Sequence, residues 1–384
     1  MNLKADDSRP LIGVFINKKL LRKRNVTLFA RKLNQANKKA KCSIYFFSPE
    51  GIDWETQRVS GYVLKGKQWL KRSASFPDII YDRGTGFGHD EKAEVETLRA
   101  RFKKFPGIQF INSCKLKKWQ VHKRLSKHKA VRKYLPITRF SRGIRDIREA
   151  TSQYGYIFLK SSGGSGGRSV FALEKYDQGF CFRYYRKGNH RKRYVSNLDG
   201  LRSAMKAIGL KPDGVIIQQG IRLIKYRNRL MDLRVLMVKD KNGIWNAIYN
   251  QARVAKGGSV ITNLSLGGEV MKYSDIYPAL KRRYPGIPSD KQIKKACKVI
   301  VRYIEKEFGP FGEIGVDIGV DEAGKVWLLE ANSKPSKLPE QGIEDTVGIS
   351  PQFLMTLEYA RLLFLKKRSR AEARSRVERS GEVS

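Results

Sequence analysis

The residues best suited to chemistry lie in Gly312-Glu313-Ile314-Gly315-Val316-Asp317-Ile318-Gly319-Val320 and, past the turn Asp321-Glu322-Ala323-Gly324, in Lys325-Val326-Trp327-Leu328-Leu329-Glu330-Ala331-Asn332. Two apolar runs around a polar, glycine-containing turn predict a β-hairpin. With the turn centred between Glu322 and Ala323, Asp317 is expected opposite Leu328. Glu330 then lies diagonally across on the same face at ~7–8 Å, and Asn332 shares that face through the period of two. Two carboxylates and an amide oxygen on an otherwise Ile, Val and Leu surface call for a cation, because uncompensated charge among apolar side chains is costly. All-oxygen ligation points to Mg²⁺, which takes one or two protein carboxylates and completes its shell with water and phosphate oxygens, as a nucleoside triphosphate would supply. The alternative is that Asp317 and Glu330 form structural salt bridges with two of the many Arg and Lys residues.

A second pattern could meet such phosphates. Tyr156 to Lys160 reads as a strand, Ser161-Ser162-Gly163-Gly164-Ser165-Gly166-Gly167-Arg168 as its glycine-rich tip, and Ser169 to Glu174 as the return strand. Glycine permits positive φ and close approach, so this tip can lay backbone N–H groups over phosphates. The Gly-Lys-Ser/Thr ending of a Walker loop is absent and no helix follows, and a plain flexible hairpin fits the same residues. Lys160 closes an apolar strand, where a cation is tolerated if it meets an anion, and Arg253 ends another strand in the same way. Cys42, Cys114, Cys181 and Cys297 form no Cys-x-x-Cys pair and read as reduced thiols. His89, His122, His128 and His190 fall in no zinc or triad spacing.

These residues must be positioned by a chain of 384 residues, long enough for two or three packed units. The hydrophobic fraction is 41%, ordinary for a folded protein, and no apolar run approaches the ~20 residues that cross a bilayer. Met1 to Pro10 is polar and carries Asp6 and Asp7, unlike a secretory signal, so a cytoplasmic location is expected. The outlier is charge: 78 Lys and Arg against 36 Asp and Glu leave a formal +42. That attracts polyanions, yet no helix-turn-helix, zinc finger or RNP-type motif accompanies it. Nonspecific association with nucleic acid, anionic substrates and acidic protein partners are all compatible with it.

The first ~115 residues alternate strand and helix signals. Leu11 to Ile16 and Cys42 to Phe47 read as buried strands around a helix from Thr27 to Lys39, and Val59 to Leu64 and Gln68 to Arg72 read as a hairpin around Lys65-Gly66-Lys67. Asp78 to Tyr81 reads as a further strand, and His89 to Phe105 as a charged helix before a strand at Ile108 to Ile111. A boundary falls after the basic stretch Ser113 to Tyr134. Beyond it, Leu198 to Ile208 reads as a helix and Gly214 to Gln219 as a strand. Asp232 to Lys239 and Trp245 to Ala255 read as a hairpin on the type I′ dipeptide Asn242-Gly243, and Lys291 to Phe308 as an amphipathic helix. An apolar helix from Phe353 to Leu365 precedes a basic tail, 366–384, expected to fray.

In this order, from about Lys118 to Pro335, the lysine, the glycine loop and the Asp/Glu/Asn hairpin resemble the ATP-grasp superfamily. Arg9-Pro10-Leu11-Ile12-Gly13-Val14, Asp78-Ile79-Ile80-Tyr81-Asp82-Arg83, Lys118-Trp119, Leu135-Pro136, Gly163 to Arg168 and Asn332-Ser333-Lys334-Pro335 resemble more closely its YheC/YheD-type branch, associated with the endospore coat. The resemblance implies an α/β fold of two α+β lobes, the ATP-grasp fold, behind an N-terminal α/β pre-ATP-grasp domain. The domains would be 1–115, then 116–365 with a small lobe about 136–215 and a large lobe about 216–365, then the tail. It implies ATP and Mg²⁺ as cofactors. Lys118, with Lys115 and Lys117 close by, and Lys160 would be the nucleotide-binding lysines, and Ser161, Ser162, Gly163, Gly164, Ser165, Gly166 and Gly167 the phosphate-covering loop. Gln218 and Gln219 would lie at the adenine, in place of the acidic residue that many of these enzymes carry there. Asp232, Arg234 and Arg253 would line the phosphate and acceptor side, with Lys160 and Arg253 holding the reacting geometry; Asp317, Glu330 and Asn332 would ligate Mg²⁺. The implied reaction joins a carboxylate to an amine or thiol through an acylphosphate, in a protein found at the forespore surface or spore coat. The first rival is a non-catalytic ATP-binding coat scaffold docked on acidic partners; the second, resting on the charge alone, is a basic nucleic-acid-binding protein, which would show salt-sensitive affinity for DNA or RNA with a sequence or shape preference.

Overall fold

A computed structural model of the chain describes residues 8–21, 23–160, 170–186, 189–256, 268–337 and 348–381. The first unit is built on β1 (Leu11–Phe15), α1 (Arg24–Ala40), β2 (Ser43–Phe47), β3 (Ile52–Asp53), β4 (Arg58–Lys65), β5 (Gln68–Ser75), β6 (Ile79–Asp82), α2 (His89–Lys104) and β7 (Gln109–Phe110). Its sheet runs β3-β4-β2-β1-β6-β7, with β5 added to β4. β1 is parallel to both β2 and β6 and is buried along its whole length, as its unbroken apolar sequence requires of a strand covered on both faces. α1 supplies one cover through Phe29, Ala30, Leu33, Ala36 and Ala40, an apolar stripe at helical spacing.

The second sheet follows α3 (Lys118–Leu125) and α4 (Lys129–Arg132). It comprises β8 (Thr138–Arg142), β9 (Tyr156–Lys160), β10 (Val170–Tyr176), β11 (Gly179–Arg186), β12 (Asn189–Val195) and β13 (Asp213–Gln219), in the order β12-β11-β10-β9-β13-β8. α5 (Ile144–Tyr154) and α6 (Leu198–Ala207) share one core with it, centred on Ile147, Leu159, Leu173, Phe182 and Leu201. β9 and β10 pair antiparallel, with Lys160 opposite Val170.

The third sheet, β17-β16-β15-β18-β19 with β14 against β15, is drawn from β14 (Lys225–Tyr226), β15 (Arg229–Lys239), β16 (Trp245–Val254), β17 (Glu269–Lys272), β18 (Glu313–Val320) and β19 (Val326–Asn332). The β15–β16 loop was expected to be type I′, which needs positive φ at both central residues. Only Gly243 has it, at 77°, and Asp240 Oδ1 instead accepts from the N–H groups of Asn242 and Ile244. α7 (Tyr273–Arg283) and α8 (Asp290–Phe308) join a core with Leu233, Val235 and Met237 of β15. The period of two therefore turns Asp232 and Arg234 to the opposite face. α9 (Pro351–Gly381) returns to the first unit, where Phe353 packs edge-on against Phe29 at 5.3 Å and Arg361 donates to the Ala40 carbonyl. The helix does not stop at Leu365. Lys367 reaches Asp78 at 3.5 Å, Arg368 pairs with Glu372 one turn on, and Ala, Arg, Lys and Glu are good helix formers.

Candidate active site

The β18–β19 hairpin forms as expected, with a different register. Val320 pairs with Val326 and Ile318 with Leu328, so the loop is centred on Ala323. A bulge at Leu329 then brings Asp317 directly opposite Glu330, and Gly315 opposite Asn332. Asp317 therefore faces Glu330 rather than Leu328, because one extra residue on β19 shifts the pairing beyond it. Gly315 is required where it stands: a Cβ there would lie 2.8 Å from the Pro335 ring and 3.5 Å from the Arg234 guanidinium.

Asp317 is buried and met by two guanidinium groups. Arg234, its cross-strand neighbour on β15, grips both carboxylate oxygens, and Arg253 Nη2 stands 3.3 Å from Oδ1. Arg253 also makes a two-pronged bond to Asp232, at 2.6 and 2.7 Å. Burial pushes the Asp317 carboxyl up, and Arg234 and Arg253 together outweigh it and hold the group below the usual carboxylate range. Asn332 donates from Nδ2 to Asp317 Oδ2 at 3.3 Å, leaving its amide oxygen as an acceptor. Asp232, Arg234, Arg253, Asp317 and Asn332 thus form one constellation across four strands, and structural salt bridges are part of it.

Across the Asp317–Glu330 pair opens a cleft between the second and third sheets. Its polar lining is Lys118 and His122 of α3, Thr138, Lys160, Gln218 and Glu330. Leu135, Ile216, Leu328 and Leu329 supply apolar walls. Lys118 Nζ stands 3.7 Å from Glu330, so of the three neighbouring lysines it is Lys118 that reaches the cleft lining. Lys160 donates to Gln218 Oε1, and Gln218 Nε2 in turn donates to Thr138 Oγ1 at 3.0 Å. Burial lowers the Lys160 ammonium to about 8, helped by Lys118 and resisted by Glu330 and Asp317. Gln219, next along β13, is absent from this lining; its Oε1 accepts from the Ile137 N–H at 3.4 Å. Ser161 to Gly167 lie outside the described residues.

His122 and Thr138 were not singled out from the sequence. His122 follows Lys118 by four residues, hence on the same helix face, and that spacing was the available signal. Burial, then Lys160, lowers its pKa. The stretches Asp78–Arg83 and Asn332–Pro335, far apart in sequence, also meet: Arg83 donates to the Pro335 carbonyl at 2.8 Å and Lys334 pairs with Asp82 at 2.6 Å. Behind them Arg83, Tyr81 and Lys337 all converge on Glu313, whose side chain, like that of Lys337, is fully buried.

A hard cation held by Glu330 and the Asn332 amide oxygen would have to share Asp317 with Arg234, which grips both of its oxygens. Among the described residues no three His, Cys, Asp or Glu side chains gather as a metal site, so phosphate oxygens and water would complete the shell around Asp317, Glu330 and Asn332. Among the described residues no helix is long and apolar enough to cross a membrane.

The model of the YheC/D like ATP-grasp family matches residues 107–363. The endospore coat-associated protein YheD of Bacillus subtilis (strain 168) is 27% identical over 336 residues, covering 85% of this chain and 73% of that protein. YheC of the same strain is 24% identical over 294 residues, covering 76% and 80%. Among solved structures, D-cycloserine synthetase DcsG aligns over 93% of this chain and 99% of its own, at TM-score 0.54 and 12% identity. The ATP-grasp ligase PsnB, complexed with minimal precursor, Mg and ADP, aligns over 94% and 99% at TM-score 0.50 and 13% identity. At these identities the likeness is one of fold.

Proposed function

The chain belongs to the YheC/D-like ATP-grasp family, and from that premise we propose that it binds MgATP in the cleft between its second and third sheets and uses it to activate a carboxylate. The observation that carries this reading is the directly opposed Asp317–Glu330 pair beside the cleft lined by Lys118 and Lys160. The apolar walls suit a nucleobase and the lysines suit the phosphates. Asp317, Glu330 and Asn332 would hold Mg²⁺, which when bound supplies charge neutralisation at the phosphate oxygens. Lys160 stays poised by Gln218 rather than by a carboxylate, so its charge remains available to a phosphate. Arg234 and Arg253 fix Asp317 and present cations to the acceptor side. In the proposed reaction a substrate carboxylate oxygen attacks the γ-phosphorus, the bond to the β-phosphate oxygen breaks, and ADP leaves; an amine or thiol then displaces phosphate from the acylphosphate. No covalent nucleophile of the protein is needed.

The division into 1–115, a small lobe about 136–215 and a large lobe from about 216 belongs to the same proposal, with α9 running unbroken past Leu365 and packing on the first unit. The three separate sheets support it. The names of the Bacillus subtilis relatives support a place at the spore coat.

Calorimetric titration of MgATP, followed by ADP release against amino acids, peptides and small carboxylates, tests the reading. We expect micromolar binding that Glu330→Gln weakens at least tenfold in a folded protein, and acceptor-dependent ADP. A folded wild-type chain without MgATP affinity overturns it, whereas binding without turnover on any acceptor leaves the nucleotide-binding scaffold.

A further inference from the structure

The inner face of α8 is spent on the core through Ile293, Ala296, Cys297, Ile300, Val301 and Ile304. Its outer face carries Lys291, Lys295, Lys298, Arg302 and Lys306, spaced three or four residues apart, so the five cations form one line along the helix. At 1.5 Å per residue that line is about 22 Å long. Among the described residues none of the five stands in an ion pair, while the acidic residues of α8 are already engaged, Asp290 with Lys294, Glu305 with Lys239 and Glu307 with His128. The His128 ring also lies 4.9 Å from that of Tyr303, which brings the exposed Lys127 and Lys129 alongside the C-terminal half of the stripe.

We propose that this face is a docking surface for the phosphate backbone of double-stranded DNA. A duplex presents one phosphate from each strand for about every 3.4 Å of helix axis, so the row of about 22 Å lies over about six base pairs and meets phosphates where both strands cross it. Protein partners are bound through an apolar centre. The exposed large hydrophobic residues of the described chain, Ile137, Tyr176, Tyr194, Ile244 and Leu365, all lie off α3, α4 and α8. The same lack of exposed aromatic groups gives single-stranded bases nothing to stack on. Nothing in the row reads base edges, so binding is independent of sequence. None of these cations lines the nucleotide cleft, and Arg234 and Asp317 lie on the other face of the third sheet, so the surface can be tested apart from the function proposed for the cleft.

The test is fluorescence anisotropy of a labelled 20-base-pair duplex with the full chain between 50 and 200 mM KCl. The triple variant Lys295→Gln/Arg302→Gln/Lys306→Gln is compared with Lys65→Gln/Lys67→Gln/Lys71→Gln, which removes the same charge from the β4–β5 hairpin. Each lost phosphate contact lowers the slope of log affinity against log salt by about 0.9, so the α8 variant should lose about 2.7 of slope and at least tenfold in affinity at 100 mM. The hairpin variant should stay within twofold. Circular dichroism shows whether each variant is folded. Equal losses in both triples would reduce the effect to net charge, and an unaffected α8 variant would remove the surface. Wild-type binding to phosphatidylserine vesicles but not to the duplex would reassign it to membranes; each of these three outcomes overturns the proposal.

Discussion

Lys160 is the residue on which the nucleotide reading can be examined most directly. Burial and Lys118 bring its ammonium down to about 8, so it is charged at neutral pH and loses its proton as pH rises beyond that value. A bound phosphate favours the charged form, hence binding takes up a proton above about pH 8. MgATP affinity should be level below pH 7, fall as pH rises from 8 to 10, and become flat in Lys160→Arg, which keeps its charge throughout. Titration at several pH values checks this. Lys337 poses a different problem, since its ammonium is fully buried against Glu313, Gln352 and Thr356. Lys337→Met strips one of the charges facing Glu313 and should cost about 3 kcal/mol, the lower end for a broken buried pair because Arg83 and Tyr81 remain. Urea denaturation reads this directly.

At the scale of elements, α8 is set up by a capping box in which Ser289 accepts from the Gln292 N–H and Gln292 reaches back to the Ser289 N–H. Ser289→Ala should lower stability by about 1 kcal/mol without altering nucleotide affinity, measurable by thermal unfolding with and without MgATP. Elements with clear periodicity were legible from the sequence. Tyr156–Lys160 appears with the expected bounds, and α8 begins one residue early. β8, β11 and β12 were not legible, because Thr138–Arg142, Gly179–Arg186 and Asn189–Val195 carry too many Arg, Lys and Tyr residues to show a buried face. The bulge at Leu329 was also invisible, since Leu328-Leu329 reads as regular strand and only the pairing partner reveals the extra residue. The chemistry of Asp317, Glu330 and Asn332 could be read from residue type. That Arg234 and Arg253 share Asp317 needed three strands to be placed side by side.

For the molecule as a whole, a formal charge of +42 pushes the folded chain apart, and salt screens this within about 10 Å at 0.1 M. The midpoint of thermal unfolding should therefore rise between 20 and 200 mM KCl. A flat or falling midpoint would mean that specific pairs, such as Arg83–Glu313 and Lys334–Asp82 between the first and third sheets, dominate over the net repulsion.

The seat of α9 on α1 also sets an order of events during synthesis. The first sheet leaves the ribosome before the second and third, but Phe29 and Leu33 share their core with Phe353, Leu357 and Ala360, which are translated after both. At about 5–20 residues per second, the first sheet waits tens of seconds with that apolar face uncovered. The first unit is thus completed only after the second and third sheets have been made, and a nascent chain stalled before Pro351 should offer chaperones a binding face that the released protein hides.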